Sequence, residues 1–231
     1  MMVKKLAVVS AILVCMTVLS GTVRADNIPI VNPSFETPSG PFSNPCGTGC
    51  SYSVGSFTGW TTLNGGEWQP GSYFNSIPDG SQIGYTNATR SLTQDLTGQS
   101  VLANSLYTFS FYLGERSDGQ SGAYTISLDT ILGGVTSTLC TVTGNASSIA
   151  RGTFQLKSCT YASGGSALPG GDLFLVFTAN TGQLDVDNVS LTVQPVTSVP
   201  EPSSVLLLGV GMIFLMATLM ARGKKELQLA A

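Results

Sequence analysis

The 231-residue chain carries 10 Lys and Arg against 13 Asp and Glu, a formal net charge of −3, and no histidine. The missing imidazole excludes histidine-based triads and histidine-ligated zinc sites. Between Asp26 and Val199 eight Asp and three Glu stand against three Arg and one Lys, net −7, which excludes nucleic acid as a partner and leaves the other six basic residues at the two ends.

At the N-terminus Lys4 and Lys5 precede an apolar run from Leu6 to Leu19, and Val23-Arg24-Ala25 offers small residues at −3 and −1 to signal peptidase. Residues 1–25 read as a secretory signal peptide. Cys15 lies inside the apolar run without the small residues before it that a lipidation signal needs, so it reads as a hydrophobe discarded with the signal.

Residues 26–193 form the predicted ectodomain, large enough for one core. Strands are expected near Ser51–Phe57, Gln82–Tyr85 and Ser91–Leu96, and over Tyr107–Leu113, where Tyr107, Phe109, Phe111 and Leu113 alternate with polar or half-polar neighbours. Tyr124, Ile126 and Leu128 repeat the alternation. Val135–Val142 and Gly152–Tyr161 follow, then the continuous apolar run Leu173–Phe177, suited to an interior strand, and finally Val189, Leu191 and Val193. Nine or ten short strands with turn residues between them predict an all-β, two-sheet antiparallel jelly-roll sandwich.

Four cysteines remain after signal removal, in a compartment that tolerates disulfides, and they allow three pairings. Spacing favours the local one: Cys46 with Cys50 around a glycine-rich loop, and Cys140 with Cys159 across a hairpin turning at residues 145–150. A Cys-x3-Cys metal site is the rival reading. Trp60, Glu67, Trp68, Tyr73, Phe74 and Tyr85 crowd a glycine-rich stretch expected to be largely loop, with Arg116 and Asp118 in a second loop. Flat aromatic faces beside polar groups suit carbohydrate, so Trp68, Tyr73, Tyr85 and Arg116 are the candidate ligand-binding residues, while Trp60 is expected in the core.

Asn32-Pro33-Ser34-Phe35-Glu36, Gly59-Trp60 and the closing Asp185-Val186-Asp187-Asn188-Val189-Ser190-Leu191 resemble elements of the galactose-binding-like β-sandwich, shared by several carbohydrate-binding module families. The resemblance implies that the first and last strands meet, and that a structural calcium held by Glu36 and Asp187 can bridge them. The rival reading has both carboxylates binding backbone amides. The change of parity between Val186 and Val189 predicts a bulge at Asp187-Asn188. No other cofactor is required.

Residues 194–199 read as a spacer. Ser203–Ala221 is an uncharged stretch of 19 residues, about 28 Å as a helix and so long enough to cross a bilayer. Arg222, Lys224 and Lys225 follow as a stop that stays cytoplasmic, with residues 226–231 as the tail. Val199-Pro200-Glu201-Pro202, an apolar helix and a basic cluster at the C-terminus resemble the PEP-CTERM sorting signal, here residues 200–225. The resemblance implies that an exosortase reads Pro200, Glu201 and Pro202 and passes the ectodomain from the membrane to the cell surface or matrix.

The resulting expectation is a non-catalytic surface protein that binds or organises exopolysaccharide. The alternative is a purely structural surface or adhesion protein. A glycoside hydrolase, needing two carboxylates across a cleft, is the least supported, because no residue pattern marks Glu67, Glu115 or Asp118 as a pair.

Overall fold

The computed structural model describes residues 24–37, 40–47, 49–196 and 208–216. Residues Ser105–Glu115 alternate buried and half-buried positions, so Tyr107, Phe109, Phe111 and Leu113 line one face of a strand, as alternation dictates. Leu173, Leu175 and Phe177 do the same within Leu168–Ala179. The two faces meet: the Phe177 ring stands edge-on to Phe109 and Phe111, with centroids 5.6 and 5.3 Å apart. Trp60, 2% exposed as expected of it, closes the core against Phe177 and Phe35.

Among the described residues thirteen strands build two antiparallel sheets. In chain order they are β1 (Asp26–Asn27), β2 (Asn44–Gly47), β3 (Cys50–Tyr52), β4 (Thr61–Thr62), β5 (Gly65–Gln69), β6 (Ile83–Asn87), β7 (Ser91–Val101), β8 (Ser105–Glu115), β9 (Ala123–Leu132), β10 (Val135–Asn145), β11 (Thr153–Ala162), β12 (Leu168–Ala179) and β13 (Gln183–Pro195). One sheet runs β11-β8-β13-β6-β5-β3-β2, with β1 paired to β13, and the other β10-β9-β12-β7-β4. The meeting of first and last strands is the pairing of Asp26 with Val193 and Asn27 with Thr192. Next to it the Gln94 side-chain amide stands in for a strand partner, accepting from Val31 N–H (2.8 Å) and donating to Val31 C=O (2.9 Å).

Several sequence expectations are corrected. The strands from β7 onward run to ten or more residues, because polar Thr, Ser and Gln positions continue ladders that hydrophobic alternation alone would end. The strand expected over Ser51–Phe57 stops at Tyr52. Strand β12 is central in its sheet, yet Phe174 and Val176 are only half-buried, so its apolar run is covered fully on one face alone. Strand β13 continues past Val193 to Pro195. The bulge does fall where parity changes, with the register shifting between Asp187 and Ser190 and Asn188 at φ 47°.

Both local disulfides are present, Cys46–Cys50 and Cys140–Cys159. The second does not join hairpin partners. Strand β10 pairs with β9 and β11 with β8, so the bridge ties an edge strand of one sheet to an edge strand of the other.

The chain divides after Val196, and in the second unit residues 208–216 are helical. The rest of the expected membrane segment Ser203–Ala221, the signal peptide up to Val23, and Pro200, Glu201 and Pro202 lie outside the described residues. Among the described residues no helix is long and apolar enough to cross a membrane.

Candidate functional site

The outer face of the larger sheet carries a second cluster of buried side chains: Cys50, Trp68, Phe74, Ile83 and Tyr85. Register puts them on one face, since Tyr52 opposes Trp68, Trp68 opposes Ile83, and Tyr85 opposes Asp185. Glycine makes the surface possible. A Cβ on Gly114, which opposes Asp185 on β8, would meet the Phe74 and Phe154 rings at 2.8 Å.

A cleft of about 310 Å³ opens on this face, lined by Cys46, Tyr52, Val54, Asn64, Trp68, Tyr73, Tyr85, Asn87, Arg116 and Gln183. The four candidate ligand-binding residues, Trp68, Tyr73, Tyr85 and Arg116, therefore share one cleft. Their setting differs from the loop expected for them. Trp68 sits on β5, 4% exposed, and Tyr73 on a single 3-10 turn, Gly71–Tyr73. Gly65 and Gly66, which look like loop residues in the sequence, instead allow tight strand packing: a Cβ on either would collide with the backbone carbonyl of Tyr85 or Ser53.

Arg116 follows directly on β8 and lies across the aromatic residues, its guanidinium carbon 5.0 Å from the Trp68 ring centroid and 4.7 Å from that of Tyr73. Asp118 holds it in a two-pronged ion pair, Nε to Oδ1 at 3.0 Å and Nη2 to Oδ2 at 2.6 Å. Nη1 donates to Gln183 Oε1 (2.7 Å), and Gln183 Nε2 donates in turn to Asp185 Oδ1 (2.6 Å). Ser121 Oγ donates to Asp185 Oδ2 at 3.3 Å.

Asp185 is wholly buried, and burial pushes its carboxyl up to about 7 against the opposing pull of Gln183, Arg116 and Ser121. It does not line the cleft; the Gln183 amide does, and stands between Arg116 and Asp185. Sequence reading missed Gln183 and Asp185 as site residues. Their period-two spacing on β13 was the available signal, but the burial of Asp185 depends on which strands flank it. Tyr85 donates its hydroxyl to Ser53 C=O (2.8 Å), and burial raises its phenol so that it stays a neutral donor.

Cys46 lines the cleft, and its partner Cys50 accepts a hydrogen bond from Trp68 Nε1 at 3.1 Å, so the small disulfide ring anchors the tryptophan beneath Arg116. Trp60 makes no contribution here; its indole N–H donates to Asn32 C=O in the core (3.0 Å).

Glu36 and Asp187 lie apart from this cleft. Glu36 Oε1 accepts from the backbone N–H of Ser81 (2.7 Å) and Gln82 (2.6 Å), and Asp187 accepts from the N–H of Asp79 (2.9 Å) and Asn188 (2.7 Å). Both thus make the backbone contacts of the rival reading. Burial first, and the negative charges of Asp79 and Glu36 after it, push the Asp187 carboxyl up to about 8. Among the described residues no group of three or more Asp, Glu, His or Cys converges as a metal site. The donor set is nevertheless hard oxygen, of the kind calcium takes, and an ion there would have to fill its shell with backbone carbonyls and water.

Residues 26–192 match the protein-family model described as HpiC1-like, HpiC1 cyclase, and residues 198–225 match the PEP-CTERM protein-sorting motif. Among solved structures the chain is similar to a Stig cyclase from Fischerella sp. TAU in complex with (3Z)-3-(1-methyl-2-pyrrolidinylidene)-3H-indole: 19% identity, TM-score 0.58, covering 75% of this chain and 100% of that one. An apo-form cyclase from Fischerella sp. gives 18% identity, TM-score 0.57 and coverage of 75% and 98%. A CBM22 xylan-binding domain from Paenibacillus barcinonensis aligns at 13% identity and TM-score 0.48 over 77% of this chain and 100% of that one. No curated protein matches the chain.

Proposed function

The chain belongs to the HpiC1-like family, and we propose that it is an exported surface or matrix protein whose sandwich binds a saccharide of the surrounding exopolysaccharide in the Arg116 cleft without transforming it. The observation that carries this reading is the lining of that cleft. The half-buried rings of Tyr52 and Tyr73 border a space at the small end of ligand sites (~300–1,000 Å³), together with the amides of Asn64, Asn87 and Gln183 and a guanidinium fixed by Asp118. Rings and paired amides are what a sugar's apolar face and hydroxyls require.

Export through the signal peptide and signal peptidase, a transient single-pass membrane stage through residues 203–221, and transfer by an exosortase reading Pro200, Glu201 and Pro202 complete the reading. The jelly-roll scaffold would carry its cleft outward to the matrix. Glu36 and Asp187 would hold a calcium ion between the first and last strands, supplying stability and no chemistry.

The test is calorimetric titration of the Asp26–Ser198 domain with oligosaccharides of the host exopolysaccharide. Binding that weakens at least tenfold in Tyr73→Ala supports the reading. Absence of binding to every saccharide supports a purely structural role instead.

A second reading rests on Asp185, a carboxyl raised to about 7 beneath the cleft of a chain in a cyclase family. In it Asp185 gives a proton to a small ring-forming substrate of the indole class once Gln183 moves aside. Turnover of such a compound, abolished in Asp185→Asn with binding retained, would establish catalysis and displace the first reading.

A further inference from the structure

The smaller sheet has an outer face that neither the core nor the Arg116 cleft uses. On its central strand, β12, Leu173, Leu175 and Phe177 point inward, so Phe174 and Val176 stand on the outer face, each half-buried. Register gives this apolar ridge the same neighbours on both sides. Phe174 opposes Asp95 on β7 and Asp129 on β9, and Val176 opposes Thr93 and Ser127 on the same two strands. A carboxylate therefore flanks Phe174 on each side, and a hydroxyl flanks Val176 on each side. The two carboxylate positions are two strand spacings apart, about 10 Å.

The two carboxylates differ in setting. Asp95 is exposed, whereas Asp129 is 6% exposed, and its Oδ1, cut off from water, accepts no hydrogen bond from any described residue. Neither makes an ion pair among the described residues. A buried carboxylate oxygen without a donor carries an unreturned desolvation cost, which an arriving N–H donor would offset. Thr138, opposite Asp129 on β10, stands where that ladder shifts register, so a bulge in an edge strand borders the buried carboxylate.

We propose that this face is a second saccharide site, selective for sugars that carry a free ammonium group. It is separate from the Arg116 cleft and does not depend on it. The apolar side of a sugar ring rests on Phe174 and Val176, and its ammonium donates to Asp129 while lying within the attraction of the Phe174 ring. Asp95, across the ridge, takes the ammonium of a further sugar in the same chain. N-acetylation removes the positive charge and two of the three N–H donors, and a sugar carboxylate would face two like charges, so both are selected against. The acidic ectodomain draws a polycation toward the face in the first place.

The test is calorimetric titration of the full chain in uncharged detergent micelles with a glucosamine tetramer, at a mildly acidic pH where its amines are charged, beside the fully N-acetylated tetramer. The amine form is expected to bind at least tenfold more tightly than the acetylated form, and to be weakened at least tenfold by Asp129→Asn and at least threefold by Asp95→Asn. Asp95 is exposed, so its variant keeps the fold and decides the case if Asp129→Asn does not fold. Asp26→Asn, which alters an exposed carboxylate on β1 in the other sheet, measures attraction to acidic charge at large. No binding of the amine form, equal affinity for the two tetramers, or equal effects of Asp26→Asn and Asp95→Asn overturns the proposal. So does binding that Tyr73→Ala removes, because the amine then sits in the Arg116 cleft.

Discussion

The Arg116 guanidinium carbon lies 5.0 Å from the Trp68 ring centroid, and Asp118 holds the same guanidinium through Nε and Nη2. One side chain thereby closes over the tryptophan, borders the cleft and orients Gln183, which in turn caps Asp185. Replacing Arg116 with Met keeps much of the apolar contact and removes the donors. Saccharide affinity is expected to fall roughly 10- to 100-fold, the span of one or two lost charged hydrogen bonds. The Trp68 fluorescence should shift as water reaches the ring. Unchanged affinity in a folded variant would remove Arg116 from the site.

Stability should fall as pH rises. Asp185 and Glu67 are held up at about 7 and Asp187 at about 8, in each case mainly by burial. Their unfolded counterparts lose the proton near 4. Between those limits the native state binds more protons than the unfolded chain, so unfolding free energy decreases from about pH 4 and levels off above about 8. The melting temperature is expected to be several degrees lower at pH 8.5 than at pH 5. Asp185→Asn, uncharged at every pH, should flatten that slope; a slope identical to wild type would mean that Asp185 is ionised in the native state.

What could be read in advance was whatever a single strand displays by itself. Phe109 and Phe111 announce their buried face by alternation, and Asp187-Asn188 announces its bulge by a change of parity. Trp68, Tyr73, Tyr85 and Arg116 suit a ligand by residue type alone, and all four line one cleft. Pairing between strands is a different matter. Gly65 and Gly66 serve the close approach of β5 to its neighbours, a role indistinguishable in sequence from that of loop glycines. Asp185 looks like any strand-end carboxylate until β6 and β8 enclose it. Cys140 and Cys159 sit at hairpin spacing, but the short turn Ala146–Ser148 between their strands crosses from one sheet to the other.

The two disulfides should fail differently. Cys140–Cys159 spans 19 residues and ties two sheets, so Cys140→Ser/Cys159→Ser is expected to cost about 2–4 kcal/mol, read as a lower denaturation midpoint. Cys46–Cys50 spans only 4 residues, so its removal should cost less global stability. It should instead change ligand affinity, because Cys46 lines the cleft and Cys50 accepts the Trp68 indole N–H. Equal losses of stability from the two pairs would contradict this division.

Calcium distinguishes the two readings of the chain ends. Glu36 and Asp187 already accept four backbone N–H bonds between them. A bound ion would neutralise Glu36, Asp79 and Asp187 together and hold Asp187 ionised. Adding millimolar calcium at pH 7 is expected to raise the melting temperature by several degrees, as binding at ~100 times Kd stabilises by about 2.7 kcal/mol. Glu36→Gln should abolish that response while preserving an acceptor for the Ser81 and Gln82 amides. Gly80→Ala is expected to lower the melting temperature for two reasons, since its Cβ would collide with the Glu36 carboxyl and its φ of 65° strains an L residue. If calcium leaves the wild-type melting curve unmoved, the two carboxylates serve the backbone alone.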